Sequence, residues 1–132
     1  MRDSIKWVAN RMPKSDDKWL DVMSLENVAK ARAFHSSFPQ YSVTPLANLK
    51  RMATYMGLGG VYVKDESYRF GLNAFKVLGG SFAMARYIAQ KTGKDVSEMT
   101  YDYLTSEQLR KEFGQATFFT ATDGNHGRGV AW

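Results

Sequence analysis

Two short stretches of the 132-residue chain concentrate its reactive side chains: Lys64-Asp65-Glu66 running on to Ala74-Phe75-Lys76, and Thr122-Asp123-Gly124-Asn125-His126-Gly127. Lys76 lies between Phe75 and Val77, with Leu78 next. Burial among such neighbours disfavours an ammonium, and the neutral amine that results is the nucleophile that Schiff-base formation with an aldehyde requires. The residues alone fit a snorkelling lysine at least as well, its stem packed and its head in water. Lys64 is the weaker nucleophile, because Asp65 and Glu66 beside it favour its charged form. The second stretch brings a hydroxyl, a carboxylate, an amide and an imidazole together where a helix opens, with N–H groups available to an anion. An ordinary Asp-Gly hairpin is the alternative for that dipeptide, although Arg128-Gly-Val-Ala-Trp132 does not read as a returning strand. His126 taken alone reads as a structural, hydrogen-bonding histidine.

These groups need elements to position them. Leu25, Val28, Ala29 and Arg32 follow Ser24 at helical spacing and predict a helix from that cap to His35, ending before Pro39. Thr44-Pro45 predicts a second helix with its apolar stripe at Leu46, Leu49, Ala53 and Met56, stopped by Gly57 or Gly59-Gly60. Val61-Tyr-Val-Lys64 reads as a buried strand. Asn73 is placed to cap a largely buried helix from Ala74 to about Gln90. Gly79-Gly80 inside it costs about 1 kcal/mol per glycine relative to alanine, which predicts a close approach of a neighbouring helix or a ligand. Thr92 to Ser97 reads as a loop, Thr105-Ser-Glu-Gln108 as a capping box opening a charged, solvated helix to Phe113, and Ala116 to Ala121 as a second strand. Two strands each followed by a helix predict an α/β layer on parallel strands, with ligands at the strand-to-helix turns, 65 to 76 and 122 to 127.

Composition narrows the chemistry further. There is no cysteine, which excludes thiolate metal sites, iron–sulfur clusters and cysteine nucleophiles, and two histidines, His35 and His126, are too few for a His-built metal cage. Lys and Arg number 18 against 13 Asp and Glu, interspersed, which is mild basicity without a nucleic-acid footprint. No apolar run is long enough to span a bilayer and the first residues lack the apolar core of a signal peptide, so a soluble, cytoplasmic protein is expected.

The segment Lys64-Asp-Glu-Ser-Tyr-Arg-Phe-Gly-Leu-Asn-Ala-Phe-Lys76, followed by Val-Leu-Gly-Gly80, resembles the lysine-bearing stretch of the fold type II pyridoxal-phosphate enzymes. This tryptophan synthase β-like superfamily includes the threonine dehydratases and cysteine synthases. Its members usually carry Ser-Phe-Lys where this chain has Ala74-Phe75-Lys76, and their Ser-x-Gly-Asn-His turn resembles Thr122 to His126. Both motifs, with Gly-Arg-Gly-Val-Ala-Trp132 after the second and Tyr41-Ser-Val-Thr-Pro-Leu46 ahead of the first, are most similar to the diaminopropionate ammonia-lyase family. The resemblance covers the chain from about residue 40 onward.

That resemblance implies an α/β fold with parallel strands and flanking helices, and pyridoxal 5'-phosphate as the cofactor. Lys76 would carry it and Asn125 would hydrogen-bond its ring phenolic oxygen, while Thr122, Gly124 and His126 would bind the substrate carboxylate. Asp123 departs from the dehydratases, which have a small residue there; the implied catalytic pair is Lys76 for the L enantiomer and Asp123 for the D enantiomer of 2,3-diaminopropionate. The implied reaction is α,β-elimination to pyruvate and ammonia. A serine or threonine dehydratase and a non-catalytic binding module that keeps part of the fold are the alternatives. The family's glycine-rich phosphate cradle and the group facing the pyridine nitrogen come from later sequence. Residues 1–132 are therefore expected to form the N-terminal portion of a cytoplasmic homodimeric lyase, inactive by themselves, with no nucleic acid, membrane or metal partner.

Overall fold

The computed structural model describes residues 8–9, 20–122 and 124–132. After a 3₁₀ turn at Leu20–Met23, α1 spans Leu25–Ser36, with the Ser24 hydroxyl accepting the Asn27 N–H as the sequence predicts. Strand β1 is Leu46–Asn48, α2 is Lys50–Met56 and β2 is Tyr62–Lys64; a second 3₁₀ segment, Glu66–Gly71, leads toward α3, Lys76–Thr92. Then come a 3₁₀ turn at Val96–Glu98, α4 at Tyr101–Leu104, α5 at Glu107–Phe113 and α6 at Asn125–Ala131.

The core is helical. Phe34 of α1, Ala85 and Ala89 of α3, and Met99 ahead of α4 are buried together, with Phe38, Phe82, Ile88 and Leu104 packed around them. Alanine at two positions one helical turn apart lets α1 approach α3 closely, and the Phe34 ring meets Phe38 and Phe82 at centroid distances of 5.1 and 5.4 Å. His35 is buried beside this core and bonds the Leu78 carbonyl through Nε2 at 2.9 Å, which fastens α1 to the first turn of α3.

Five sequence expectations fail here. The helix predicted from Thr44-Pro45 starts only at Lys50, because Leu46–Asn48 pairs with Tyr62–Lys64 in register Leu46 to Lys64. This pairing is antiparallel, and among the described residues it is the whole sheet, so the expected parallel pair does not form. β2 is exposed along its length, Tyr62 by 61%, and the expected strand at 116–121 is irregular and exposed, with Phe119 at 90%. Their apolar, β-branched composition suits strands buried on both faces, and among the described residues no layer covers them. α3 is likewise less buried than its composition suggests: Val77, Ala85 and Ala89 are its buried residues. Among the described residues no helix is long and apolar enough to cross a membrane.

Candidate active site around Lys76

The turn from β2 into α3 is shaped by backbone that few residues adopt. Phe70, Gly71 and Asn73 have φ of 51°, 70° and 55°. Glycine takes the left-handed region without penalty and asparagine tolerates it, whereas an aromatic residue there stores strain of about 1–3 kcal/mol. These residues prevent helix from starting before Ala74, so the expected Asn73 cap is not made and α3 opens at Lys76, with Phe75 at the cap position and no side-chain cap bond.

A buried polar network holds the strained turn. The Arg69 guanidinium, 7% exposed, donates to both Glu66 oxygens at 2.7 and 2.9 Å, to Thr44 Oγ1 at 3.1 Å and to the Ser42 carbonyl at 3.2 Å. The Thr44 hydroxyl, 2% exposed, donates to Glu66 Oε1 at 2.6 Å, so the residue expected to cap a helix instead bolts the segment before β1 to the turn after β2. The Lys64 ammonium donates to the Thr44 carbonyl. With the Arg69 fork and the Thr44 hydroxyl bonded to it, the Glu66 carboxyl is held down at about 2. On the other side of Arg69, the buried Phe70 ring contacts Trp132 at 4.9 Å and Phe38 at 6.0 Å, which ties the C-terminal end of α6 to the same turn. The sequence signal for this network was an acid three residues before a base, Glu66 and Arg69, within an otherwise aromatic stretch.

Lys76 is exposed, which agrees with the snorkelling reading of its neighbours and not with a desolvated amine. Val77 is 1% exposed and takes the inward position, whereas the Lys76 stem turns outward and its Nζ lies 5.2 Å from the Phe75 ring centre. Among the described residues Lys76 forms no ion pair.

The second stretch reaches this region through α6. A Cβ at Gly129 would stand 2.8 Å from Val77 Cα and 2.9 Å from its nitrogen, and one at Gly80 would meet Val130 at 3.7 Å. The close approach inferred for Gly79-Gly80 therefore involves Gly80 in ordinary contact, nothing at Gly79, and Gly129 as the tight point. Glycines at 127 and 129 carried that signal, since both cost helix stability without a packing reason visible in sequence. Gly127 is as tight: its Cβ would lie 2.6 Å from the Thr122 carbonyl, so only glycine allows the chain to fold back at the start of α6. Gly124 caps α6 with its N–H toward Thr122 Oγ1 at 3.4 Å. Thr122, Gly124, Asn125 and His126 are all exposed, and Asp123 lies outside the described residues.

The contact at Val77 and Gly129 thus links the residue after Lys76 to the helix that opens at Asn125. Two cavities lie elsewhere: about 580 Å³ between Ile88, Leu109, Phe113 and Phe118, and about 520 Å³ over Asn48 to Met52. No group of carboxylates and imidazoles among the described residues is arranged to hold a metal ion. An outward-facing primary amine at a helix start, with an amide on the adjoining helix, suits an aldehyde-bearing ligand.

Comparison with known proteins agrees with that class of site. Residues 38–132 match the family described as pyridoxal-phosphate dependent enzyme, and the chain belongs to this family. It is 50% identical over 100 residues to the diaminopropionate ammonia-lyase of Salmonella typhimurium, a match that takes in 76% of this chain and 25% of that protein. The crystal structure of the Escherichia coli diaminopropionate ammonia lyase in apo form superposes with a TM-score of 0.74 at 43% identity, covering 84% of this chain and 29% of that one. The same enzyme in complex with an aminoacrylate-PLP azomethine reaction intermediate gives 0.71 at 41% identity, over 84% of this chain and 26% of that one. The chain therefore spans about a quarter of the length of the curated relative it matches. The likeness places its helices and small sheet within the fold type II architecture, whose cofactor is pyridoxal 5'-phosphate.

Proposed function

We propose that these 132 residues are the lysine-bearing N-terminal portion of a pyridoxal-phosphate-dependent lyase that eliminates ammonia from D- and L-2,3-diaminopropionate, giving pyruvate and ammonia. The observation that carries the reading is the Val77–Gly129 contact, which brings the lysine's helix and the helix opened by Asn125 together without intervening side chains. When bound, the cofactor supplies the electron sink that stabilises a carbanion at the substrate Cα. Lys76 holds it through the ε-amine and takes the Cα proton of the L substrate. Asp123 takes the Cα proton of the D substrate. The Asn125 amide donates to the cofactor's phenolic oxygen. Thr122, Gly124 and His126 bind and orient the substrate carboxylate.

Lys76, Thr122, Gly124, Asn125 and His126 stand open to water here, and water competes with every polar contact such a site makes. The reading accordingly assigns closure of the site to the remaining length of the enzyme and to a homodimer partner, and assigns no turnover to these residues alone. Incubating the chain with pyridoxal phosphate, reducing with borohydride and mapping the modified peptide tests it. A single dominant label on Lys76, absent in Lys76→Ala, is expected. Label spread evenly over the surface lysines contradicts the reading and favours a binding module that keeps the fold without the cofactor.

A further inference from the structure

We propose that the Glu66–Arg69–Thr44 network is a positioning device that directs the cofactor aldehyde to Lys76 and away from Lys64, the other lysine of the same turn. This rests on the reading of Lys76 above and adds residues to which that reading gives no role.

Lys64 ends β2 and Lys76 begins α3, so both amines flank the turn that a ligand at this end of the sheet would meet. They differ in what holds them. The Lys64 ammonium donates to the carbonyl of Thr44, whose own side chain is locked between Glu66 and Arg69. To attack an aldehyde it would have to give up its proton and this bond together. Among the described residues Lys76 has no hydrogen-bond or ion-pair partner and its ammonium meets the Phe75 ring 5.2 Å from the centre, so loss of its proton gives up that weak cation–π contact but no hydrogen bond.

The same network sets where Lys76 points. Arg69 spans three acceptors on two separate segments, Glu66, Thr44 and Ser42, a geometry that a planar fork satisfies and an ammonium does not. It thereby fixes the residue immediately before the left-handed Phe70 and Gly71, whose backbone directs the chain toward the α3 start. Loss of the fork removes what holds that strained turn and frees the Thr44 carbonyl from its locked segment. Arg69, Glu66 and Thr44 make no contact with Lys76 Nζ, and Thr44 meets only the competing amine of Lys64; they are positioning residues.

The test is the ratio of label on Lys76 to label on Lys64 after reductive pyridoxylation of the full chain. In the labelling step the deprotonated ε-nitrogen bonds to the aldehyde carbon, the aldehyde oxygen leaves as water, and borohydride delivers a hydride to the resulting C=N bond, leaving a secondary amine. In the unsubstituted chain Lys76 is expected to dominate. Arg69→Lys and Glu66→Gln are expected to lower the ratio by about tenfold or more, the scale on which small misplacements act on reacting groups. Thr44→Val, which keeps the Arg69–Glu66 pair and the residue's shape, is expected to lower it by less. General loss of folding raises label on all lysines together, whereas loss of positioning transfers it from Lys76 to Lys64. An unchanged ratio in Thr44→Val and in either charge variant that folds overturns the positioning role while leaving the reading of Lys76 intact. An unsubstituted chain without preference for Lys76 overturns both.

Discussion

Replacing Gly129 by alanine and Gly79 by alanine should move stability in opposite directions, although both are glycines within helices. At Gly79 a Cβ meets nothing within 4 Å and the residue has no positive φ, so alanine contributes only its helix preference, a gain of about 1 kcal/mol. At Gly129 the same preference opposes a Cβ placed 2.8, 2.9 and 3.2 Å from Val77 Cα, N and Cβ. Backbone atoms of a buried residue cannot rotate away, so α6 must lift from α3. Overpacking costs about 1–3 kcal/mol; after the propensity gain the expected net loss is about 0–2 kcal/mol. At this chain length each kcal/mol shifts the midpoint by roughly 3–5 °C. Thermal unfolding followed by circular dichroism should show Gly79→Ala melting above the unsubstituted chain and Gly129→Ala below it. Because the lifted contact adjoins Lys76, Gly129→Ala should also slow pyridoxal-phosphate labelling of that lysine. A Gly129→Ala variant at least as stable as Gly79→Ala would refute the close α3–α6 approach on which the site rests.

Glu66 is depressed from 4.5 to about 2 by its bonds to Arg69 and Thr44, so its stabilising contribution is complete above 4.5 and is lost as pH falls toward 2. Acid unfolding of Glu66→Gln should lack that component, read as a shallower slope of denaturant midpoint against pH over this range. His35 is pushed below 6.5, chiefly by burial, with Arg69 opposing its charge and the Leu78 carbonyl favouring it. It therefore favours the fold most above 6.5 and progressively less as pH falls below that value, and His35→Gln should flatten this part of the stability profile. Trp132→Ala should cost about 1–2 kcal/mol through lost contacts with Phe70 and Phe38, measured by urea titration. In the full-length lyase proposed above, Asp123→Ala should abolish ammonia release from D-2,3-diaminopropionate and spare the L form; equal loss for both removes Asp123 from its assigned role and reopens a dehydratase reading.

Where a local rule governed, the sequence was readable. Ser24 caps α1, Gly57 ends α2 with a φ of 66°, and α5 ends at Phe113 as its charge pattern suggests, although its cap is Ser106 rather than Thr105. The 3₁₀ turn at Val96–Glu98, within a segment expected to be loop, carries a capping box between Asp95 and Glu98 that local inspection could have found. The failures came from distant partners. Thr44-Pro45 has the form of a helix start, but pairing with Tyr62–Lys64 and the demand of Arg69 for the Thr44 hydroxyl override it. The strand composition at 116–121 requires neighbours to pair with, and among the described residues this aromatic, β-branched run has no ladder partner and does not form a strand. The chemistry-bearing motifs stand out because they are short and contiguous, and the exposure of Lys76 follows the snorkelling reading, with Val77 next to it taking the buried position.

The central claim is that the Lys76 amine and the turn opening α6 serve one aldehyde cofactor. A crystal structure of the proposed full-length lyase, grown with pyridoxal phosphate, tests it most directly. The account predicts continuous density from Lys76 Nζ to the cofactor, with the Asn125 amide within hydrogen-bonding distance of the ring oxygen. Cofactor bound through a different lysine, or held away from Asn125, would contradict it.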